Sequence, residues 1–271
     1  MNIKADFHTH TTWCDGKNTP RQMVEAAFKM GLTDFGISGH ADFSFCEPGL
    51  GMTDQALACY KRELEALREE YAGRMNIYIG IELDCLGPVQ QAEYAIGSTH
   101  CVEKNGEFIS VDNTEELLVR DVERLWGGDW YALARDYFET EATVWDRTHC
   151  DWVGHFDLMA KFNEGGKHFD ETKDDYIEPA LAAMRRLNDA GLPFEINTGA
   201  MSRGYRSIPY PSRLLLRELK LMGGRIIFNS DSHSDRNICY GFDQAGRLAW
   251  DCGFRSACLL KPGGGFREIP L

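Results

Sequence analysis

Asp6-Phe7-His8-Thr9-His10 covers the end of the first predicted strand of the chain and contains two histidines separated by one residue. Residues 3–8 are typical of a short strand, and side chains alternate along a strand with a period of two. His8 and His10 should therefore leave the carboxyl end of the strand on the same side. Two imidazoles presented in this way can bind a metal ion. Such pairs also occur without a metal, so the interpretation depends on where the other histidines fall.

Strands and helices alternate along the rest of the chain. Thr19-Pro20-Arg21-Gln22 marks a helix start, with Thr19 as N-cap, proline at the first helical position and Gln22 closing a capping box. Gly31 is expected to end that helix. Further helices are predicted over residues 57–71, 113–125 (from a cap at Asn113), 130–138, 177–190 and 211–222, with one more in the tail. Further strands are predicted over residues 34–38, 77–83, 94–98, 151–154, 194–197 and 225–229.

This alternation predicts an α/β fold, in which right-handed crossovers connect parallel strands into a (β/α) barrel. Barrels of about 250 residues commonly form one domain. No repeat or linker divides the sequence, so a single domain is predicted over residues 1–271. Seven strands are counted, and the apolar run 257–260 is either an eighth strand or a segment packed outside the barrel.

Nine metal-binding side chains are predicted at one end of this barrel. Histidines follow the predicted strands, Glu82 and Asp231 end strands, and Asp15 lies in the first loop; the histidines are His8, His10, His40, His100, His155 and His233. Barrel chemistry collects at the carboxyl ends of the strands, so these side chains are expected to converge. Any one of the histidines alone would more simply be a hydrogen-bonded scaffold residue. Six at one rim, together with three carboxylates, favour a metal site.

Nine ligands are too many for one metal ion, because a catalytic zinc takes about three protein ligands and an open position. They suit three ions that share a bridging carboxylate. Imidazole and carboxylate donors fit Zn²⁺, Mn²⁺ or Fe²⁺ and do not distinguish among them.

The successive motifs along the chain resemble those of the PHP (polymerase and histidinol phosphatase) family, and more narrowly its monofunctional histidinol-phosphate phosphatases. These motifs are His8-Thr9-His10, Ser38-Gly39-His40, Gly80-Ile81-Glu82, Ser98-Thr99-His100, Gly154-His155-Phe156-Asp157 and Ser230-Asp231-Ser232-His233. The resemblance implies a distorted, seven-stranded TIM-like barrel with three divalent metal ions. It implies a first metal on His8, His10, Glu82 and Asp231, a second on Glu82, His100 and His155, and a third on Asp15, His40 and His233. Some members of the family have histidine where Asp15 stands.

The expected chemistry is hydrolysis of a phosphate ester by a metal-bound hydroxide, because metal ions lower the pKa of bound water to about 7. Phosphate also favours charged donors. Arg203, in the loop after the sixth strand, is the first candidate, and an arginine in the corresponding loop of histidinol phosphatases contacts phosphate. Lys161 corresponds to a position that is often basic in these enzymes. The general acid is not identified, with Asp42 one candidate; Asp42 or Glu47 could instead attract a substrate ammonium.

Composition narrows the range of partners. The net charge of −13 argues against nucleic acid as the main partner, since phosphate backbones bind basic surfaces. The chain begins without the apolar run of a signal peptide and has no segment long enough to span a bilayer. The nine cysteines include no Cys-x-x-Cys and are expected to be reduced, which predicts a cytoplasmic protein.

Together these features predict a phosphomonoesterase that converts L-histidinol phosphate to L-histidinol and phosphate in histidine biosynthesis. One alternative is a phosphatase or phosphodiesterase of the same family acting on a nucleotide, a sugar phosphate or phosphotyrosine. A second is a barrel that binds metal without catalysis. Such a module would be expected to have lost ligands, whereas all nine positions are filled in this sequence. The oligomeric state is left open.

Overall fold

The computed structural model describes residues 3–271. The strands are β1 (Ala5–Asp6), β2 (Asp34–Ile37), β3 (Asn76–Asp84), β4 (Tyr94–Ser98), β5 (Cys101–Lys104), β6 (Glu107–Ser110), β7 (Trp152–Val153), β8 (Pro193–Asn197), β9 (Arg225–Asn229), β10 (Ser256–Leu260) and β11 (Phe266–Pro270). The α-helices are α1 (Pro20–Lys29), α2 (Asp54–Glu70), α3 (Glu115–Trp126), α4 (Trp130–Glu141), α5 (Val144–Thr148), α6 (Asp174–Asp189), α7 (Gly199–Ser202), α8 (Arg213–Leu221) and α9 (Phe242–Asp251). Short 3₁₀ helices span Leu158–Ala160, Glu164–Gly166 and Asp235–Asn237.

Seven parallel strands form the predicted barrel, in the order β1-β2-β3-β4-β7-β8-β9. The ring closes just beyond β1 and β9, where Thr9 and Ser232 form a parallel bridge. There the His10 backbone N–H donates to the Ser232 carbonyl at 2.8 Å. The first strand is shorter than the predicted 3–8. The α/β barrel fold is confirmed, and its closure holds the two ends of the chain's motif series side by side.

The apolar run at 257–260 is a strand. It belongs to β10, which pairs in parallel with β9 through Cys258 and Ile227 and antiparallel with β11. β10 therefore lies beside the middle of β9, whereas the Thr9–Ser232 bridge that closes the ring lies beyond the carboxyl end of β9. The eighth parallel strand exists but does not join β9 to β1.

The local signals for the first helix are confirmed. Thr19 caps α1, accepting from the Gln22 backbone N–H at 3.3 Å, while the Gln22 side chain accepts from the Thr19 backbone N–H at 2.9 Å. Gly31 follows the helix with φ of 79°, the left-handed conformation expected of a terminating glycine. The cap predicted at Asn113 is wrong by one residue: the Thr114 hydroxyl accepts from the Leu117 N–H and begins α3.

Tyr94 fills the barrel beneath the site. Its ring stacks on Trp152 at 5.1 Å, and its hydroxyl donates to the Phe7 carbonyl at 2.6 Å, directly before His8. A Cβ on Gly80 would lie only 2.1 Å from this ring, so the neighbouring strand needs glycine there. The packed tyrosine thus supports the strand end from which His8 projects.

The prediction that the cysteines are reduced is contradicted at one pair. Cys46 and Cys101 form a disulfide that connects the loop after β2 to the start of β5, one residue after His100. Because the two residues are 55 positions apart, no local spacing could indicate the pairing, and only the fold brings them together. The remaining seven cysteines are free.

No helix within residues 3–271 is long and apolar enough to cross a membrane. The division of the chain into one domain stays a prediction.

Candidate metal centre

All nine predicted ligands lie at the carboxyl end of the barrel, and the structure brings them together. His8 and His10 follow β1, His40 follows β2, Glu82 lies near the end of β3, His100 follows β4, His155 follows β7, and Asp231 and His233 follow β9. Asp15 reaches the group from the first loop. Most are buried; Asp15 is the most accessible, with its side chain 32% exposed. Their role as metal ligands stays a prediction.

Glu82 lies at the centre of the cluster. Its two oxygens face five imidazole nitrogens at 2.9–3.5 Å: His155 Nε2 at 2.9 Å, His40 Nδ1 at 3.1 Å, His8 Nε2 at 3.2 Å, His100 Nε2 at 3.4 Å and His10 Nε2 at 3.5 Å. Ser98 donates to Oε1 at 2.7 Å and orients the carboxylate. A carboxylate with different imidazoles on each oxygen can bridge metal ions, as the family resemblance implies for this residue.

A second group forms around Asp15. Its Oδ2 lies 2.9 Å from His233 Nε2 and 3.8 Å from His40 Nε2, and its Oδ1 lies 3.4 Å from His10 Nδ1. The ligand atoms of His10, Asp15, His40 and His233 lie within 4.8 Å of one another. His10 thus stands between this group and Glu82, whereas the resemblance assigns it to the first metal alone.

Three further overlapping sets complete the geometry. Their ligand atoms lie within the same 4.8 Å limit, and the sets are His8 with His155 and Asp231, His8 with His10 and Glu82, and His40 with Glu82 and His100. The sets share members, which is the arrangement needed for adjacent ions with common ligands.

The charges of the cluster depend on one another. Burial alone would raise the pKa of Glu82, but His8, His40 and His100 hold it well below its usual value. Burial would likewise raise the pKa of Asp231, which Arg203 and His8 lower. Both carboxylates are therefore ionised at neutral pH and attract cations.

The donor atoms fit metal ions. Among the residues described by the structure, the buried Nε2 atoms of His8 and His10 have no hydrogen-bond partner. Both nitrogens face carboxylate oxygens of Glu82 and Asp231 at 3.2–3.8 Å. Cations between these atoms would satisfy nitrogen and oxygen together, and imidazole with carboxylate is a donor set suited to zinc, manganese or iron.

Sequence reasoning missed the carboxylates behind the histidines. Asp84 Oδ2 accepts from the His100 backbone N–H at 2.8 Å and lies 3.4 Å from His100 Nδ1. Glu195, fully buried in β8, accepts from His8 Nδ1 at 2.8 Å. A charged residue between Phe194 and Ile196 in an apolar strand was the available signal, because such a residue must be paired when buried.

A cavity of about 270 Å³ opens over the cluster. Seven of the predicted ligands line it, all except His8 and His10, together with Arg203, Lys161, Tyr205, Asp112, Phe43 and Glu47, among others. Both predicted phosphate-binding side chains therefore reach the cavity, as does Glu47.

Both basic residues are already paired with acidic ones. Arg203 donates through Nη2 to Asp231 Oδ2 at 3.0 Å and through Nη1 to the Asp231 carbonyl at 3.1 Å. Lys161 donates to the Asp112 carbonyl at 2.5 Å and lies 3.3 Å from its Oδ2. Asp112 follows the β5–β6 hairpin, which the sequence did not predict. An anion entering the cavity would meet cations that have carboxylate neighbours.

The geometry argues against Asp42 as the general acid. Its carboxylate accepts from the Ser44 backbone N–H at 3.0 Å, and hydrogen bonds from the Ser44 side chain and backbone lower its pKa. A carboxyl group with a lowered pKa carries no proton at neutral pH, so it is poorly suited to protonate a leaving group.

Comparison with known proteins finds a matching family model and relatives that align along most of the chain. The family model described as "PHP domain" matches residues 6–199. A curated relative from Schizosaccharomyces pombe, "Probable histidinol-phosphatase", is 27% identical over 97% of this chain and 90% of its own.

Two solved structures share the fold. One, of a protein from Listeria monocytogenes, has a TM-score of 0.76 at 20% identity, covering 89% of this chain and 99% of that one. The other is histidinol phosphate phosphatase from Lactococcus lactis, complexed with zinc, L-histidinol and phosphate. It has a TM-score of 0.68 at 22% identity and covers 98% of this chain and 99% of that one.

Proposed function

The chain belongs to the PHP domain family, and we propose that it is a metal-dependent phosphomonoesterase that hydrolyses L-histidinol phosphate to L-histidinol and phosphate. The observation that carries the proposal is the convergence of six histidines and three carboxylates around Glu82 at the mouth of the barrel. A barrel that served only as a scaffold would have no need of buried imidazole nitrogens facing ionised carboxylates.

Three divalent ions would be held by the nine side chains, with Glu82 shared between ions. When bound, such ions lower the pKa of a coordinated water, supply the nucleophile at neutral pH and stabilise charge on the phosphoryl oxygens. The chain's own contribution is to fix the donor atoms, exclude bulk water from a largely buried cluster and add basic side chains at the rim.

Arg203 and Lys161 are the proposed phosphate-binding residues. Arg203 lies beside Asp231 and donates to His233 Nδ1 at 3.0 Å, so its guanidinium is oriented before substrate arrives. Its planar group can bind two phosphate oxygens together, whereas Lys161 offers a single charged ammonium.

The leaving group would lie toward Glu47 and Asp112. Both acidic residues line the same cavity as the metal ligands. They would favour an alcohol that carries a positive charge, such as histidinol with its ammonium group. Of the two acidic residues considered from sequence for this role, we propose Glu47, because its side chain lines the cavity, and not Asp42.

The relatives support this substrate. The Schizosaccharomyces pombe protein carries the name of the same activity, and the Lactococcus lactis structure contains zinc and both reaction products. A role in histidine biosynthesis follows from the proposed reaction.

A panel of phosphate esters tests the proposal. Purified protein, with its metal content counted, is compared for kcat/KM on histidinol phosphate, a nucleoside monophosphate, a sugar phosphate, phosphotyrosine and a diester. We expect histidinol phosphate to lead by about two orders of magnitude, because a neutral leaving group would leave the cavity carboxylates of Glu47 and Asp112 without a cationic partner once phosphate has drawn Lys161 away. A generic aryl phosphate hydrolysed equally well would refute the substrate assignment. Full metal content without release of phosphate from any ester would indicate a non-catalytic module.

We also propose a cytoplasmic location, as suits an enzyme of amino-acid biosynthesis. The Cys46–Cys101 disulfide is the observation that opposes it, since disulfides are rare in reducing compartments. Mass spectrometry of alkylated protein from the native cell would show a free Cys46 and Cys101 if the location is reducing.

A further inference from the structure

Glu195 lies in β8 directly behind His8, with no exposed surface. We infer that Glu195 is a positioning residue of the metal centre: it determines which nitrogen of His8 carries the proton and so turns the other nitrogen toward the metal ions. The inference rests on the metal-dependent part of the proposed function and does not depend on the substrate.

Backbone N–H groups fix the orientation of the two asparagine amides that donate hydrogen bonds to Glu195. Asn229 Oδ1 accepts from the Phe7 backbone N–H at 2.8 Å, so the Asn229 amide must present its NH₂ group on the other side. That NH₂ group donates to Glu195 Oε1 at 2.8 Å. Asn197 Oδ1 likewise accepts from the Gly199 backbone N–H at 2.8 Å, and its NH₂ group donates to Glu195 Oε2 at 2.9 Å. Neither amide can be reversed without facing a backbone N–H with another N–H.

A third donor is itself a backbone group. The His155 backbone N–H donates to Glu195 Oε2 at 3.1 Å. Three unambiguous donors therefore point at the carboxylate, which acts as an acceptor on both oxygens. One carboxylate thus holds the main chain beside His155 as well as the side chain of His8.

The protonation of His8 follows from these bonds. His8 Nδ1 lies 2.8 Å from Glu195 Oε1, and because a carboxylate oxygen can only accept, Nδ1 must donate. A histidine that binds a metal ion is neutral, and in a neutral His8 the proton on Nδ1 leaves the lone pair on Nε2. That nitrogen lies 3.2 Å from Glu82 Oε2 and 3.8 Å from Asp231 Oδ1, at the centre of the cluster. A histidine ligand oriented by a carboxylate on its other nitrogen is a general feature of metal sites.

Glutamine at this position would conflict with its surroundings. Glu195→Gln keeps the shape of the side chain but replaces one acceptor oxygen by an NH₂ donor. Whichever way the amide turns, that donor meets either His8 Nδ1 and Asn229, or the His155 N–H and Asn197. In the first case His8 must move its proton to Nε2, where it blocks metal binding. In the second case the main chain beside His155 is displaced.

Zinc binding to Glu195→Gln tests the inference. The metal-stripped variant is titrated with zinc in competition with a chromophoric chelator, and bound zinc is counted by elemental analysis. We expect one equivalent to bind about 10–100-fold more weakly than in the unmodified protein, the usual effect of removing such a partner. Unchanged affinity for every equivalent would overturn the inference.

Glu141→Gln is the matched control. Glu141 is also a buried glutamate near the site, but burial raises its pKa to about 8, so at pH 7 it is mostly protonated and resembles glutamine. Its zinc binding should match that of the unmodified protein. If both variants lose zinc equally, a general effect of altering buried glutamates would explain the result and the role of Glu195 would be refuted.

A measurement on the unmodified protein covers the case in which Glu195→Gln does not fold. In zinc-loaded protein with ¹⁵N-labelled histidine, long-range ¹H–¹⁵N spectra show which nitrogen of His8 carries a proton. We expect an exchange-protected proton on Nδ1 and zinc on Nε2. A proton on Nε2, or zinc on Nδ1, would overturn the inference. Neither readout requires turnover, so failure of histidinol phosphate as a substrate would leave this result standing.

Discussion

Replacing Glu141 by glutamine should reduce the loss of folding stability that the protein undergoes as the pH rises. Glu141 ends α4 with only 1% of its surface exposed. Burial raises the pKa of its carboxyl group from 4.5 to about 8, the hydroxyl of Thr99 opposes this, and the charge of Asp84 adds to it. The folded protein therefore keeps a proton on Glu141 over a range of pH in which the unfolded chain has already lost it.

The sign and size follow from proton linkage. Between pH 4.5 and 8 the folded state binds more protons than the unfolded state at this residue, so the free energy of unfolding falls as pH rises. One pKa unit corresponds to about 1.4 kcal/mol. By pH 8 the raised pKa of Glu141 therefore lowers the free energy of unfolding by roughly 4 kcal/mol, relative to its value below pH 4.5. Glutamine has no proton to lose and is free of this cost.

Urea unfolding of both proteins at a series of pH values from 5 to 8.5 measures the effect. Other titrating groups contribute equally to the two proteins and cancel in the difference. The free energy of unfolding of Glu141→Gln, relative to the unmodified protein, should rise with pH and level off near pH 8. A difference that stays constant across the series would show that Glu141 has an ordinary pKa and would refute the reasoning.

Three other substitutions address the site directly. Asp231→Asn removes a central carboxylate of the cluster and should reduce phosphate release below detection with loss of bound metal; near-normal activity would remove Asp231 from the ligands. Arg203→Ala should raise KM about 10–100-fold, because a charged hydrogen bond contributes about 1.5–3 kcal/mol, and elemental analysis should show unchanged metal; metal loss would make the arginine structural. Gly199→Ala would place a Cβ 2.6 Å from Asp231 Oδ2 and 2.8 Å from Arg203 Nη2. It should lower stability by about 1–3 kcal/mol in urea unfolding and lower kcat/KM; unchanged kinetics would show that the pair is not needed.

The barrel and the convergence of side chains could be predicted because both depend on short-range patterns. Alternating strands and helices with terminating glycines define the fold class. In a parallel barrel every strand then delivers its last residues to the same end. His8 and His233 lie far apart in sequence, yet their positions after strands were enough to place them together.

The contacts behind these side chains could not be predicted in the same way. The pairing of Lys161 with Asp112 requires a hairpin, β5–β6, whose two strands are short and half-exposed and carry no clear apolar alternation. The Cys46–Cys101 disulfide joins the loop after β2 to the start of β5, and these two segments meet only in the folded barrel. Glu195 is a charged residue in an apolar strand, a signal that sequence reasoning missed, and its partner His8 is 187 residues away, so nothing local connects the two.

An acidic protein can bind an anionic ester because charge at the site is set locally. The chain carries −13 overall, but three divalent ions would exceed the charge of Asp15, Glu82 and Asp231 and leave the mouth of the barrel positive. Asp112 modifies this field, because it neutralises Lys161 until an anion competes for the ammonium. A phosphate that draws Lys161 away leaves Asp112 without its counter-charge inside the cavity. An ester whose alcohol carries its own cation compensates that carboxylate, and a neutral alcohol does not. The same ion pair that sequence could not reveal therefore favours a substrate with charges of both signs.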